Sequence, residues 1–360
     1  MSSIKLKHSS GNGVSITAPD TNPSSDRTLK LPSTDADGLI TTKDSSNSLQ
    51  AVTGANGTAF SNRNLLINGA HIVWQRGTSV SGGSALDNFQ RATDRFWLYS
   101  PSSSSGTVGQ STDAPSGFLY STHNNLDAEC IIGSNVELLK TGSDAPFVNG
   151  ESLTLSFYIK STSARSGVAI AISTRDNAGG TGSVDRASGI TFNSTTGWTR
   201  VEKTFTLSGT VGGSNTCLQF QITLAVGDKI TGFQLEKGTV ATAFEHRTFQ
   251  QELLDCQRYF QKSYNYEHAP GSATSTGTTW LTVAQGGGRL VNTAYLKVKM
   301  RVTPTFKTYD WSGNIDKVRT NNGDNQGASA IYASQTNVIV DINVSGVQEN
   351  IYQYTAEAEL

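Results

Sequence analysis

Ile230-Thr-Gly-Phe-Gln-Leu-Glu-Lys-Gly-Thr-Val-Ala-Thr-Ala-Phe-Glu-His-Arg-Thr-Phe-Gln-Gln-Glu-Leu-Leu-Asp-Cys-Gln-Arg-Tyr-Phe260 holds two secondary-structure periods in one run of chain. Phe233 and Leu235 alternate with Gln234 and Glu236, the period of a strand. Gly238 supplies a turn, and a crossing segment follows. From Phe249 the period lengthens, so that Phe249, Leu253, Cys256 and Phe260 are spaced for one helical face. Thr248 and Gln251 fit a capping box, in which each side chain satisfies an orphaned backbone N–H at the helix start. No other convincing amphipathic helix appears. Residues 248–260 therefore read as a helical hinge between a β module on each side.

Upstream, apolar runs arrive at sandwich spacing: Cys130-Ile-Ile, Val136-Glu-Leu-Leu, Leu153 to Ile159, Val168 to Ile172, Trp198 to Leu207, and Cys217 to Leu224. Alternation names three core faces: Leu153, Leu155, Phe157 and Ile159; Val168, Ile170 and Ile172; Leu218, Phe220, Ile222 and Leu224. With Phe233 and Leu235 last, about eight strands span residues 61–247, the count of a two-sheet jelly roll. Leu65 and Ile67 read as a short opening strand closed by the Asn68-Gly69 turn signal. Thr93-Asp-Arg-Phe-Trp-Leu-Tyr99 is dense in aromatics, and a Ser-rich loop follows at 100–117.

Downstream, residues 261–360 form a smaller β-sandwich-like module. Leu296, Val298, Met300 and Val302 alternate with Lys297, Lys299 and Arg301, and Val338, Val340, Ile342 and Val344 alternate with Ile339, Asp341 and Asn343. Glycine-rich loops are expected at 286–288 and 321–327. The run from Ile351 to Leu360 alternates throughout and is expected to pair as a strand, since unpaired terminal segments fray.

Residues 1–60 are polar and punctuated by Gly and Pro, with short alternating pieces at Ile4-Lys-Leu-Lys, Val14-Ser-Ile-Thr and Leu29-Lys-Leu-Pro. Isolated hairpins are marginal in water, so these strands call for a partner; a disordered leader is the bland alternative. Threefold intertwining would supply partners and protect the edges. The fold class is thus mainly β: a short-strand N-terminal segment, a jelly roll, a linking helix and a C-terminal β module.

Composition narrows the function. The net charge is −1, and no Lys/Arg cluster appears of the kind that drives phosphate binding, so nucleic acid is not expected. Cys130, Cys217 and Cys256 are too few and too scattered for a disulfide framework or a zinc site. They are expected to be free, buried thiols. The N-terminus lacks a secretory h-region, and no run approaches the roughly 20 apolar residues of a membrane span.

Several segments together resemble tail-fibre and related tail proteins of bacteriophages, of the type carried by phages of marine bacteria and cyanobacteria. Asn64-Leu65 with Asn68-Gly69 and Trp74-Gln75-Arg76-Gly77 is similar to the opening of their jelly-roll module. Thr93-Asp94-Arg95-Phe96-Trp97 resembles its Ala-Asp-Arg-Trp segment. Phe233-Gln234-Leu235-Glu236, Gly238, Ala241-Thr242, Phe244-Glu245 and Arg247 resemble its closing strand and exit, and Cys256 to Phe260 the helix after it. Met300-Arg301, Pro304-Thr305 and Tyr354 to Leu360 resemble the C-terminal strands, and Ile4 to Ser15 with Leu29 to Pro32 a recurring leader. The resemblance implies a virion tail protein, assembled in the host cytoplasm and released by lysis. It further implies a homotrimer, docking onto other tail proteins through residues 1–60, and a jelly roll akin to carbohydrate-binding modules that recognises a host-surface glycan.

Catalysis is not expected. Glycoside hydrolysis needs two carboxylates facing each other across the bond, whereas Asp94, Glu129, Glu137 and Asp185 are scattered singly. Glu236 and Glu245 fit a role in packing the exit segment. His8, His71, His123, His246 and His268 lack the spacing of a metal motif, and no nucleophile elbow or phosphate loop occurs. No cofactor is implied; calcium would find loop aspartates, but no Asp-x-Asp-x-Asp loop supports it. Sugars are held by flat aromatic faces with polar groups at their edges. The candidate platforms are Tyr158, Trp97, Tyr99, Trp198, Trp280, Tyr309 and Trp311, with Trp74, Tyr120, Tyr264 and Tyr266 also available. Tyr158 lies on the outward face of a strand whose Leu and Phe point inward. Three functional classes stay open: a non-enzymatic attachment or tail-building protein, a tail depolymerase, and a secreted carbohydrate-binding protein.

Overall fold

The alternating runs become strands: the protein is mostly β, with one α-helix among the described residues. The computed structural model describes residues 3–7, 13–17, 39–42, 49–52, 63–83, 90–100, 103–138, 147–176, 183–209, 211, 215–282, 288–320, 323–344 and 349–359. The chain divides into two units, Met1–Ala59 and Phe60–Leu360. In the first, β1 (Ser3–Lys7) pairs antiparallel with β2 (Gly13–Thr17), and β3 (Leu39–Thr42) with β4 (Leu49–Val52). The pieces expected at Ile4 and Val14 fall in β1 and β2; Leu29-Lys-Leu-Pro lies outside the described residues.

The second unit opens with the jelly-roll sandwich. Its strands are β5 (Ser79–Ser81), β6 (Phe96–Tyr99), β7 (Gly106–Ser111), β8 (Ser121–Leu126), β9 (Cys130–Glu137), β10 (Ser152–Lys160), β11 (Arg165–Asp176), β12 (Val184–Ala187), β13 (Thr191–Ser194), β14 (Thr199–Thr206), β15 (Asn215–Leu224) and β16 (Lys229–Lys237). One antiparallel sheet runs β14-β10-β16-β8-β7-β5; the other runs β12-β11-β15-β9-β6, with β13 also on β11. From β9 to β11, and again from β14 to β16, the chain switches sheet at each step. The three expected core faces converge: Phe157 stacks on Phe233 at 5.4 Å and Phe220 on Phe233 at 5.2 Å. Burying such side chains stabilises by about 1.5–3 kcal/mol each.

Among the described residues twelve strands replace the eight expected, because β5, β7, β8 and β13 are built largely from Ser, Thr, Gly and Asn, and β12 is the short polar run Val-Asp-Arg-Ala, with little apolar alternation to reveal them. Cys130-Ile-Ile and Val136 belong to one strand, β9. The opening strand at Leu65 and Ile67 is absent; Leu66 is the buried residue there. Its ladder is pre-empted by Asn64, whose Oδ1 accepts the N–H groups of Leu66 and Leu235 at 3.0 and 3.1 Å.

After the sandwich come α1 (Phe249–Gln257), β17 (Phe260–Lys262), β18 (Thr279–Thr282), β19 (Gly288–Tyr295), β20 (Thr305–Tyr309), β21 (Lys317–Thr320), β22 (Gly323–Ala333), β23 (Asn337–Val344) and β24 (Glu349–Glu357). β24 is the axis of this sheet. Its C-terminal half, Thr355 to Glu357, pairs with β17 and also with β20, and its N-terminal half pairs with β18 through Glu349 to Tyr352 and with β21 at Ile351. Val338 and Val340 of β23 are buried against Tyr352 and Tyr354. Two expectations fail. Leu296 to Val302 alternates but is not a strand: the Gln261 side chain takes the Lys297 N–H at 2.7 Å and donates to the Val298 carbonyl, standing in for a neighbouring strand. The glycine-rich segment at 321–327 is mostly strand, since β22 starts at Gly323.

Of the expected capping box the Thr248 half forms, its Oγ1 accepting the Gln251 N–H at 3.3 Å. Its buried face is different: Glu252, Cys256 and Gln257 are buried, Phe249 is 42% exposed, and Phe260 has left the helix for β17. Glu252 faces inward because a buried donor requires it, the Asn68 N–H at 2.6 Å. All three cysteines are free and buried. Burial pushes the Cys130 thiol up to about 12, so it stays protonated and unreactive.

The motifs that carried the resemblance meet where the sandwich joins the C-terminal sheet. Arg76 binds Asp94 at 3.1 Å and Glu359 at 3.1 Å, Arg95 binds Glu359, and Arg91 reaches Glu359 at 3.6 Å. Arg95 lies 3.5 Å over the Tyr259 ring and Arg76 3.7 Å over Phe260. Glu137 takes Arg258 at 3.0 Å and the Tyr259 hydroxyl at 2.9 Å. The closing motif is structural as well: Gln234 and Glu236 hold the exit segment through Thr242, Ala243 and the Glu245 N–H.

Candidate functional site

A cleft of about 890 Å³ opens between the sandwich and the C-terminal sheet. Its floor is the segment from Ala70 to Ser79; Gly117 to Tyr120 form one wall, His246 to Phe249 a second, and Tyr266 to Ser272 a third. Leu119, Phe249 and Tyr266 are 69%, 42% and 37% exposed, while Phe118 and Tyr120 are half-buried. Gln110, Thr78, Ser79 and Glu267 add polar edges. A cleft of this size that sets aromatic faces beside convergent polar groups has the form of a small-ligand site.

The first wall is a loop without secondary structure, so its rigidity must come from anchors. Asp113 supplies one. Its carboxylate receives Lys229 and Lys160 at 2.9 Å each and the Trp198 indole N–H at 3.1 Å. The lysines, Lys229 foremost, hold that carboxyl well below the usual range. Phe118 supplies the other: its ring packs against Phe244 at 4.9 Å, His246 at 5.1 Å and Tyr158 at 5.3 Å. Beneath it lies Gly232, where φ is +70° and a Cβ would come within 2.8 Å of both the Phe118 and Tyr158 rings. Gly232→Ala is therefore expected to cost about 1–3 kcal/mol through the left-handed backbone alone. Thermal unfolding reads it; an unchanged midpoint would show that the loop gives way without strain.

The third wall is fixed by Tyr266. Its hydroxyl accepts the Trp74 N–H at 2.7 Å and lies 3.3 Å from the Ile72 carbonyl, and its ring meets Phe249 edge-on at 5.1 Å. Behind it the buried Lys262 ammonium donates to the carbonyls of Tyr266 and His268 at 2.8 and 2.7 Å. Burial pushes this amine down to about 8.

None of the seven aromatics expected from the sequence lines the cleft. Trp97 is 2% exposed, with its indole near Asn135, and Tyr309 is buried edge-on to Tyr264. Tyr99 is half-buried. Tyr158 does face outward, but Phe118 covers it; Tyr158 and Trp198 both serve the cleft from behind by anchoring its loop. Trp280 and Trp311 form a separate surface pair, rings 6.4 Å apart, with Arg319 at 4.4 Å over Trp311 and Trp280 56% exposed. The cleft aromatics that were missed sit in irregular segments, where no periodicity marks a side chain's direction. Tyr120 and Tyr266 were available as platforms, but only the fold brings them to one cavity.

Of the carboxylates considered for catalysis, Asp94 is locked to Arg76 and Glu137 to Arg258. Among the described residues no cluster of His, Cys, Asp and Glu could hold a metal ion, and no helix is long and apolar enough to cross a membrane. Glu267 is the one carboxylate in the cleft lining. Its own backbone N–H, then the Asn265 side chain, hold it below the usual range.

No protein-family model matches this sequence, and no curated protein matches it. Among solved structures, the enzymatically active domain of tailspike protein 4 from bacteriophage CBA120 overlaps 49% of this chain and 22% of its own, at 14% identity and a TM-score of 0.30. This chain thus spans about a fifth of that tailspike's length. The CBM22-1 xylan-binding domain from Paenibacillus barcinonensis overlaps 51% of this chain and 100% of its own, at 12% identity and TM-score 0.30. The module TmCBM61, solved with β-1,4-galactotriose, overlaps 49% and 99%, at 16% and 0.26. At these values the likeness is one of β architecture, and what this chain binds has to be argued from its own cleft.

Proposed function

We propose that this protein binds a host-surface glycan in the aromatic cleft without cleaving it, as a tail-fibre-like component of a phage virion. The observation that carries the reading is the cleft lining itself: exposed faces of Tyr266, Phe249 and Leu119 beside hydroxyl and amide edges. A pyranose ring offers the complementary surface, C–H faces ringed by hydroxyls. The non-enzymatic part is supported by Glu267. A general acid requires a second carboxylate across the bond and a raised pKa, and Glu267 has neither a carboxylate partner in the lining nor a raised value.

Titration with host capsular or envelope oligosaccharides tests this directly. Tyr266→Ala is expected to weaken binding about tenfold or more, equivalent to about 1.4 kcal/mol, with Trp280→Ala unchanged. Loss on Trp280→Ala alone would move the site to the Trp280–Trp311 pair. New reducing ends after incubation with polysaccharide would sink the non-enzymatic reading in favour of a depolymerase.

The virion role rests on the sequence resemblance. In that role residues 1–60 dock onto neighbouring tail proteins, and three copies associate. The solution mass of the full chain beside a chain beginning at Asn62 tests it. A trimer that becomes a monomer assigns assembly to the leader, and monomers in both remove the trimer.

A further inference from the structure

We infer that the open edge of the sandwich holds a second binding site, a pocket for an anionic group, with Arg186 and Lys203 as its cations. The ligand chemistry is a carboxylate or sulfate, carried either by an acidic sugar or by a free anion. The pocket measures about 530 Å³ and lies between Arg186–Thr191 on one side and Lys203–Thr206 with Ser208 on the other. It shares no lining residue with the aromatic cleft.

Three observations carry this. First, the lining contains two cations and no carboxylate, in a chain whose net charge is −1, so the pocket does not merely sample a basic surface. Second, Arg186 is 8% exposed, yet its guanidinium donates only to neutral acceptors: Thr174 Oγ1 at 2.7 Å and the Ser208 carbonyl at 3.3 Å. No described carboxylate pairs with it. A buried charge without a counter-charge is costly, and the planar guanidinium fork is shaped for two-point contact with a carboxylate or sulfate. Third, Lys203 lies on the same side of β14 as the core residues Val201 and Phe205, is half-buried, and has no partner among the described residues. It points into the sandwich edge rather than out to water.

A structural purpose accounts for part of this. β14 is an edge strand, and an inward-pointing lysine is a known device against strand addition. That explains Lys203 alone. It does not explain a buried arginine with neutral partners on β12, across the same pocket. The edge strand also offers backbone N–H groups without a strand partner, which suit an anion.

Calorimetric titration of the full chain at constant ionic strength tests the site, using sodium sulfate, a galacturonate hexamer and a neutral xylohexaose. Binding of the galacturonate hexamer with displacement by sulfate identifies an acidic sugar as the ligand. Binding of sulfate but not galacturonate identifies a free anion. Lys203→Gln is expected to weaken either at least tenfold with an unchanged unfolding midpoint, and Arg186→Gln to abolish it. Because Arg186 is buried, so that its replacement also disturbs packing, Lys203→Gln decides. No binding of either anion at 10 mM overturns the assignment. So does unaltered binding by Lys203→Gln, and new self-association of that variant would then give the lysine back to edge protection. The aromatic cleft can fail its own test without touching this one.

Discussion

Glu359→Ala is expected to lower unfolding free energy by about 3–5 kcal/mol, the cost of breaking a buried ion pair from one side. The carboxylate is the common counter-charge of Arg76, Arg91 and Arg95; its removal strips the buried Arg95 of its carboxylate and leaves Asp94 and the half-exposed Glu357 as the counter-charges beside Arg76 and Arg91. Burial alone would raise its pKa; the three arginines overcome that and hold it at about 2, against an ordinary 4.5. The sign follows. The stabilisation is complete above pH 4.5 and is lost as the pH falls from 4.5 towards 2, a gap worth about 3 kcal/mol. His71 acts in the same direction from a higher pH. Burial pushes it down from 6.5 to about 3, so its contribution is complete above 6.5 and is lost on the way to 3. Asp94 and Glu252, which burial pushes upward, offset part of the loss. Urea unfolding across pH 7 to 2 should therefore show stability falling from about 6.5 and steepening below 4.5, with Glu359→Gln removing the lower step. A loss under about 1 kcal/mol for Glu359→Ala at pH 7 would mean that water, not this carboxylate, neutralises the arginines.

Asn68→Ala is expected to be at least as severe. Asn68 is fully buried at φ +60°. Its Nδ2 donates towards the Val73 and Asp94 carbonyls and Thr93 Oγ1 at 2.9–3.0 Å, and its Oδ1 accepts the N–H groups of Ile72 and Val73. Alanine abandons all of these, and each buried group left unsatisfied costs about 1–3 kcal/mol. A total above about 4 kcal/mol would remove most of the stability of a domain at the lower end of the typical range of about 5–15 kcal/mol. Asn68→Asp keeps both acceptor bonds but turns its second oxygen onto the Val73 and Asp94 carbonyls in a buried site, and should be no more stable than Asn68→Ala. Equal stability of Asn68→Ala and wild type in chemical denaturation would show that water enters and replaces the side chain.

These two residues also explain what could be read from sequence. Leu153 to Ile159, Leu218 to Leu224 and Ile351 to Tyr354 announced themselves because a strand's burial repeats every second residue, and Thr248 because a cap is satisfied within one turn. Asn68, Asp94 and Arg95 were visible as motif residues, but their purpose was not. Arg95 and Glu359 lie 264 positions apart, and no local rule connects them. Leu296 to Val302 misled for the converse reason: its alternation is real, but a side chain on β17 had taken the backbone groups a strand would need. The cleft was the least legible part, since Phe118, Tyr120 and Tyr266 leave loops whose direction is set by Asp113, Gly232 and Lys262.

The axial position of β24 bears on the order of events during synthesis. Its neighbours β17, β18, β20 and β21 all leave the ribosome before it does. Until residues 349–357 emerge, four strands wait without the one partner they share. Pairings this distant in sequence are slow to form, and waiting strand edges invite association between nascent chains.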